Sequence, residues 1–405
     1  MTDERRPVVA GVDTHKDTHY AAVISVTGEH LAAAEFPATQ AGYQALQWFI
    51  TCHGVLVRAG VEGTNSYGAG LSHHLHDAGV QILEVIRSSR QIQRMRGKSD
   101  EIDAYAAAHI ALAATNTITA NTGTGNIEAI RVIHAARRSA LKSRTEAIVQ
   151  LKSLPMTAPE HTRADYRDLT RHPSRPSPSR LTRPTGNSQV AARTRTALKR
   201  LAARYQQLDE EIAAHDSDLT QLIETVNPAL VQTKGIATIT AAQLLITAGD
   251  NPERIASKAA FAMLCGAAPI PASSGRTTRH RLNRGGDTAA NSALHRIALV
   301  RLATDPDTRA HAAKRKSKKD ILRCLKRAIA REVFHLIAHP QPVQSTADLR
   351  PARRQPGLTI TDVANALGYG ITKIPRIERG HIRDTRFLHE YRDWLTSQQP
   401  LRIAV

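Results

Sequence analysis

The chain has 405 residues, enough for two to four domains, and sets 55 Lys and Arg against 36 Asp and Glu, a formal net charge of +19. Such an excess points to a polyanionic partner, nucleic acid or an anionic membrane. No apolar run is long enough to span a bilayer and no start resembles a signal peptide, while Cys52, Cys265 and Cys324 form neither a disulfide framework nor a zinc spacing. The expectation is a soluble, cytoplasmic, nucleoid-associated protein that handles DNA or RNA and has no membrane partner.

Residues 8–36 read as a three-stranded meander: VVAGVD, which ends in an acid, then HYAAVISV, a TGE turn and LAAAEF. A helix is expected over about 40–53, followed by the strand VLVRAGVE ending at Glu62, a helix over about 66–78 and a fifth strand, VQILEV. The basic loop RSSRQIQRMRGKS leads into a helix that starts within GKSDEIDAYA. Strands first, then strand–helix alternation, predict a mixed α/β sheet with helices packed on it, a domain over 5–115.

Residues 125–153 read as helical and polar, and 155–190 as a Pro-, Ser- and Arg-rich linker or loop. Leu198, Leu201, Tyr205, Leu208, Ile212, Leu219, Leu222 and Val226 then recur with coiled-coil spacing, His215 filling the missing seam position. Four heptads suit a helical stalk over 125–227 used for homo-oligomer assembly; a long helix packed on its own domain carries the same pattern. Residues 228–340 predict a mostly helical domain. Between Arg309 and Arg331 basic residues crowd a helix whose only acid is Asp320, with Ile321, Leu322, Leu325, Ile329 and Val333 at helical spacing. One face packs, and Lys314, Arg315, Lys316, Lys318 and Lys319 belong to a basic strip suited to phosphates. Residues 347–396 have a helix-turn-helix rhythm, but Pro375 falls where the second helix should run, so that helix must start late or be short.

Asp100, Glu101 and Asp103 concentrate negative charge in a basic chain. One reading is local: Ser99 caps a helix and acids in its first turn oppose the dipole. The other is a metal site. Asp13 and Glu62 end two strands, and neighbouring parallel strands open their carboxyl ends onto one crevice. A helix starting at Asp100 can lie across it. Four such carboxylates repel unless a hard divalent cation neutralises them, and two Mg²⁺ ions about 4 Å apart are the usual nuclease arrangement.

The order and spacing of Asp13, Glu62, Asp100 and Asp103, within GVDTHKDTHYAAV, GVEGTNSYG and KSDEIDAYAAA, resemble the acid tetrad of the DEDD-type, RuvC-like transposases of the insertion-sequence family numbered one-ten. The resemblance continues through KGIATITAAQLL and AAPIPASSGRTTRHRLNRGGDTAANSALH, covering about 7–340. It implies a ribonuclease-H-like fold for the first domain, a transposase domain over 228–340 and strand exchange on element and target DNA.

In SSGRTTRHRLNRGG a serine beside glycine precedes Arg276, Arg279, Arg281 and Arg284, guanidinium groups that suit phosphate; Lys98 is a further candidate contact. Alone, this loop reads as a phosphate-binding loop. The resemblance implies that its serine, Ser274 or alternatively Ser273, attacks DNA and forms a serine–phosphate link. His15 and His280 are candidate helpers. The resemblance further implies a site composed from different subunits and a structured guide RNA, the bridge RNA. Two other readings remain: a RuvC-like endonuclease using water, which needs the acids but not Ser274, and a non-enzymatic helix-turn-helix regulator, which needs neither.

Overall fold

The computed structural model describes residues 6–85, 99–114, 117–158, 160, 163, 189–274, 276, 280–283, 285–313, 317–340, 346–378 and 384–398. Lys98, Arg279, Arg284, Lys314, Arg315, Lys316 and most of the 155–190 segment lie outside the described residues. The chain forms two compact units. One comprises Met1–Glu128, Leu245–Leu264 and Ala268–Asn283; the other comprises Ala129–Leu244, Cys265–Ala267 and Arg284–Val405.

The first unit is built on a mixed sheet. Strands β1 (Pro7–Thr14), β2 (Thr18–Ser25) and β3 (His30–Pro37) form the expected antiparallel meander. Helix α1 (Gln40–His53) carries the chain back to β4 (Val55–Glu62), which pairs parallel to β1; α2 (Ala69–Asp77) does the same for β5 (Gln81–Val85) beside β4. After α3 (Asp100–Ala113) comes β6 (Thr117–Thr119), a three-residue strand that the sequence reading missed; it pairs antiparallel to β5. The sheet order is β3-β2-β1-β4-β5-β6. Its architecture is that of the RuvC-like fold expected from the sequence, followed by a mostly helical remainder.

Alternation along the strands sorts side chains to two faces. Val8, Ala10, Val12, Ala59 and Val61 pack under α1 and α2 with Leu46, Ile50, Leu71 and Leu75. The other face meets α3, where Val9, Ile24 and Leu83 pack on Ala108 and Ala111. At Gly11 an added Cβ would lie 2.1 Å from the Ala104 carbonyl oxygen and the Ala108 nitrogen, and at Gly60 it would lie 2.6 Å from the Ala107 carbonyl oxygen. Helix and sheet thus touch backbone to backbone, a closeness only glycine permits.

Part of the expected transposase domain belongs to this first unit. Helix α7 (Thr238–Ala248) ends in a loop tied to the strand β6 exit. Asp250 N–H donates to Asn121 Oδ1 at 2.8 Å, Asn251 Nδ2 donates to the Ala120 carbonyl at 3.0 Å, and the Ile127 N–H donates to Asp250 Oδ1 at 2.9 Å. Helix α8 (Lys258–Leu264) and the short hairpin β7 (Pro269–Pro271)–β8 (His280–Leu282) complete the unit.

In the second unit, α4 (Asn126–Ser153) and α5 (Gln189–Val226) are joined by Arg137–Asp216 and Arg144–Asp209 ion pairs and by Leu151 packing on Leu198, Leu201 and Ala202. Those contacts pair early residues of one helix with late residues of the other, so the two run antiparallel. The seam read as an assembly stalk is filled within the chain: Leu198 and Leu219 are wholly buried, and Tyr205 and Ile212 nearly so. A second copy would need another face. The short α6 (Pro228–Gln232), then α9 (Thr288–Thr304), α10 (Pro306–Ala313) and α11 (Lys318–Ala338) follow. Leu325, Ile329 and Val333 of α11 are buried and Arg323, Arg327 and Arg331 are exposed, as the sequence spacing predicts.

Residues 347–396 form α12 (Leu349–Arg354), α13 (Ile360–Leu367), α14 (Lys373–Glu378) and α15 (Thr385–Ser397) around Leu349, Val363, Ile377, Phe387 and Tyr391. Thr359 and Asp362 form a capping box on α13, and Gly368 (φ 69°) ends it. Pro375 sits in the first turn of α14, which is only six residues long, as the proline demands. Arg353 donates to Glu378 from Nε (2.6 Å) and Nη2 (3.2 Å), and Tyr391 adds a hydroxyl bond at 2.8 Å, all inside this small core. Burial pushes the Glu378 carboxyl up, but the bonds from Arg353 and Tyr391 outweigh it and hold it below its ordinary value.

Two outcomes follow. Gly11→Ala should cost about 3 kcal/mol or more, at the upper end of overpacking, since the clash is with backbone; urea unfolding measures it. Arg353→Met leaves a buried carboxylate unpaired and should destabilise the four-helix tail by about 3–5 kcal/mol at pH 7. That loss should shrink as acid protonates Glu378 through its lowered pKa, because the pair stabilises only while the carboxylate is ionised.

Candidate metal centre and nucleic-acid surface

The face-sorting that buries Val9 and Gly11 against α3 also points Asp13 to that side, and Glu62 follows Gly60 by the same step of two. Val12 pairs with Val61 in the parallel register, so the two acids end adjacent strands. The Thr14 hydroxyl donates to the Glu62 carbonyl at 2.8 Å and ties those ends together. Ser99 caps α3 by accepting from the Ile102 N–H at 3.2 Å, with Asp100, Glu101 and Asp103 in the first turn. The local reading of these acids therefore holds, and it coexists with convergence.

Asp13 is 3% exposed. Burial pushes its carboxyl above the ordinary value; His15 opposes this, and the charges of Glu62, Asp103 and Asp100 each add to the rise. The three other sequence-predicted acids thus each act electrostatically on Asp13. His15 Nε2 lies 3.3 Å from both Asp13 Oδ2 and Asp100 Oδ1. Among the described residues, Asp13, His15 and Asp100 are the group whose ligand atoms, within 4.8 Å of one another, can hold an ion. The donors are carboxylate oxygens with one ring nitrogen, which fits a divalent cation.

Ser273 and Ser274 stand exposed in the β7–β8 hairpin with Arg276, while His280 and Arg281 lie on its returning strand. The hairpin belongs to the same compact unit as the acids. Among the described residues no hydrogen bond joins Ser274 to an acid of the cluster. Lys318 and Lys319 are exposed at the start of α11, which Ser317 caps by accepting from the Asp320 N–H.

A groove of about 960 Å³ in the second unit was not foreseen. Arg138 and Lys142 of α4, Gln243 of α7, and Thr288, Ser292 and Arg296 of α9 line it. Only the i, i+4 spacing of Arg138 and Lys142 hints at it in the sequence. The rest comes from elements over a hundred residues away. No Phe, Tyr or Trp lines the groove, whose basic and hydroxyl side chains stand beside His134 and one acid, Glu146.

Residues 10–155 match the family model described as a transposase, DEDD_Tnp_IS110, and residues 227–313 match that of the transposase IS116/IS110/IS902 family. The two together span more than half of the chain. No curated protein matches it.

Because burial, and then the charges of the neighbouring acids, raise the Asp13 pKa, ionising Asp13 weakens the metal-free fold. Asp13→Asn should therefore melt at a higher temperature than the wild type in chelator at pH 7.5. The sign follows from the folded pKa lying above the unfolded one: the wild type is disadvantaged above that range and recovers as pH falls. The gap should close on acidification, as scanning calorimetry would report.

Proposed function

The chain belongs to the IS110 family of DEDD transposases, DNA-recombining enzymes, and we propose that Asp13, Glu62, Asp100 and Asp103 are its catalytic metal ligands and Ser274 its nucleophile. The observation that carries this is a buried Asp13 whose carboxyl is pushed up by burial and then by the charges of the other three acids. A bound cation relieves that crowding while the acids stay ionised, and the oxygen-rich donor set suits Mg²⁺, two ions per site. When bound, such ions supply charge stabilisation at the phosphate and a polarised oxygen.

Ser274 Oγ attacks phosphorus, a phosphorus–sugar oxygen bond breaks and the departing sugar oxygen ends as a hydroxyl with the proton the serine gives up. The new Oγ–phosphorus bond keeps the strand joined to protein until another strand's hydroxyl displaces Ser274, its proton returning to the serine oxygen. Arg276 and Arg281 grip the phosphate from the same hairpin. Exposure of Ser274 and its place in the same unit as the acids support this. The net charge of +19 supports a structured guide RNA beside DNA, and assembly as a homo-oligomer completes the site. The Arg138–Lys142–Arg296 groove and the Lys318–Lys319 strip hold phosphate backbones.

A second reading, a hydrolase in which water attacks, is favoured by the lack of a hydrogen bond between Ser274 and the described acids. Denaturing electrophoresis of end-labelled DNA separates the two. A slow band removed by protease, and lost in Ser274→Ala, is the serine adduct; cutting without that band, at equal rate in Ser274→Ala, assigns the attack to water. Asp13→Asn and Glu62→Gln should each abolish Mg²⁺-dependent strand exchange while gel shifts show DNA binding retained; an active variant would remove that acid from the metal centre.

Replacing Arg138, Lys142 and Arg296 by Gln should weaken DNA binding alike for all sequences. It should flatten the slope of log affinity against log salt by about 0.9 per lost duplex contact. An unchanged slope would mean that the groove faces solvent.

A further inference from the structure

The turn from β1 to β2 carries a side chain that the acid tetrad does not use. The His15 N–H bonds the Thr18 carbonyl at 3.0 Å, which fixes the turn and aims the ring back over the strand end. His15 Nε2 reaches 3.3 Å from Asp13 Oδ2 on β1 and 3.3 Å from Asp100 Oδ1 on α3. The side chain is 41% exposed, yet this nitrogen is sealed from solvent and closes no hydrogen bond. A sealed ring nitrogen whose close partners are two carboxylate oxygens, neither in hydrogen-bond geometry, needs an explanation, since buried polar atoms are nearly always satisfied.

The spacing supplies one. With metal–ligand bonds of about 2.0–2.2 Å, neighbouring ligands of one ion lie about 3 Å apart in octahedral geometry and about 3.5 Å apart in tetrahedral geometry. Both 3.3 Å separations fall inside that interval, and the three donor atoms lie within 4.8 Å of one another. Asp13 is buried while Asp100 and His15 are partly exposed, so the three donors stand at the edge of solvent.

We propose that His15 Nε2 is itself a ligand of the ion held between Asp13 and Asp100, making this position a mixed nitrogen–oxygen site that prefers Mn²⁺ or Co²⁺ to Mg²⁺ or Ca²⁺. The proposal rests on the reading of the acids as a metal centre. Hard, oxygen-seeking cations gain little from an imidazole, whereas Mn²⁺ and Co²⁺ accept one readily. A second ion, bound by the remaining carboxylates alone, keeps the ordinary Mg²⁺ preference. His15 also couples two elements: one ring spans the gap between the β1 terminus and the α3 start, so binding an ion draws the three donors onto one centre.

Titration calorimetry on the full chain tests the selectivity, and electron spin-echo modulation of bound Mn²⁺ tests the ligand. The wild type should show ¹⁴N coupling to Mn²⁺ that is absent in both His15→Ala and His15→Gln. Co²⁺ affinity of His15→Ala should fall by about tenfold or more, by analogy with losses at metal-site supporting residues, while Ca²⁺ affinity stays unchanged. Wild-type Mn²⁺ without ¹⁴N coupling, or coupling that persists in His15→Ala, overturns the proposal. So does equal loss of Co²⁺ and Ca²⁺ affinity, which would make His15 a scaffold for the carboxylates. Asp13→Asn separates this from the premise. If Asp13→Asn removes ion binding while His15→Ala binds Co²⁺ like the wild type, the acid centre stands and the nitrogen ligand falls; if Asp13→Asn binds ions undiminished, both fall.

Discussion

The backbone contact between α3 and the sheet is the constraint on which the candidate centre depends. Gly11 and Gly60 leave no room for a Cβ against Ala104, Ala107 and Ala108, so the helix axis sits as low on β1 and β4 as the chain allows. The stripe of alanines on α3 is the complementary half of that fit. Lowering the helix brings its first turn level with the strand ends, two residues beyond Gly11 and Gly60. There Asp100 comes together with Asp13 and His15, and the charges of Glu62 and Asp103 are felt at Asp13. The acids are therefore not held by bonds to one another, which their charge forbids, but by glycines and alanines that carry no chemistry.

That arrangement trades stability for a binding site. Asp13 is buried beside like charges and the His15 ring, and burial first, then those charges, hold its carboxyl above the ordinary value. Strand-end acids on a solvated loop would relax apart; here the strand pairing, the Thr14–Glu62 bond and the Ser99 cap deny them that freedom. A site built this way is preorganised for cations, because the repulsion has already been accepted in folding.

How far this was legible in the sequence depends on the range of the interactions involved. The meander, α1, β4 and β5 follow from apolar runs and turn residues, and Ser99 announces its own cap. The acids were legible because strand ends and a helix start are local features. Strand β6 was not, since three residues carry no period. The heptads of α5 were read correctly as a seam, but nothing in one helix says what fills it; the filling helix α4 looked merely polar because its Arg137 and Arg144 are spent on Asp216 and Asp209. The place of the serine hairpin was equally hidden. Its unit is set by bonds such as Asn121 to Asp250 and Asn251 to Ala120, across about 130 residues of chain, and such polar partners leave no periodic trace.

The same hairpin bears on how the two halves of the chemistry meet. Once Leu245–Leu264 is bonded to the end of the sheet, the Ser273–Ser274 turn is carried by the sheet's own unit and not by the helical one. The long helices and the groove lined by Arg138, Lys142 and Arg296 belong to the other unit. Each unit is assembled from segments that the chain order interleaves. A linear division into catalytic domain, stalk and transposase domain therefore cuts through the second unit's core and through the loop that closes the first. What the sequence presents as successive segments, the fold uses as two bodies, each assembled from several passes of the chain.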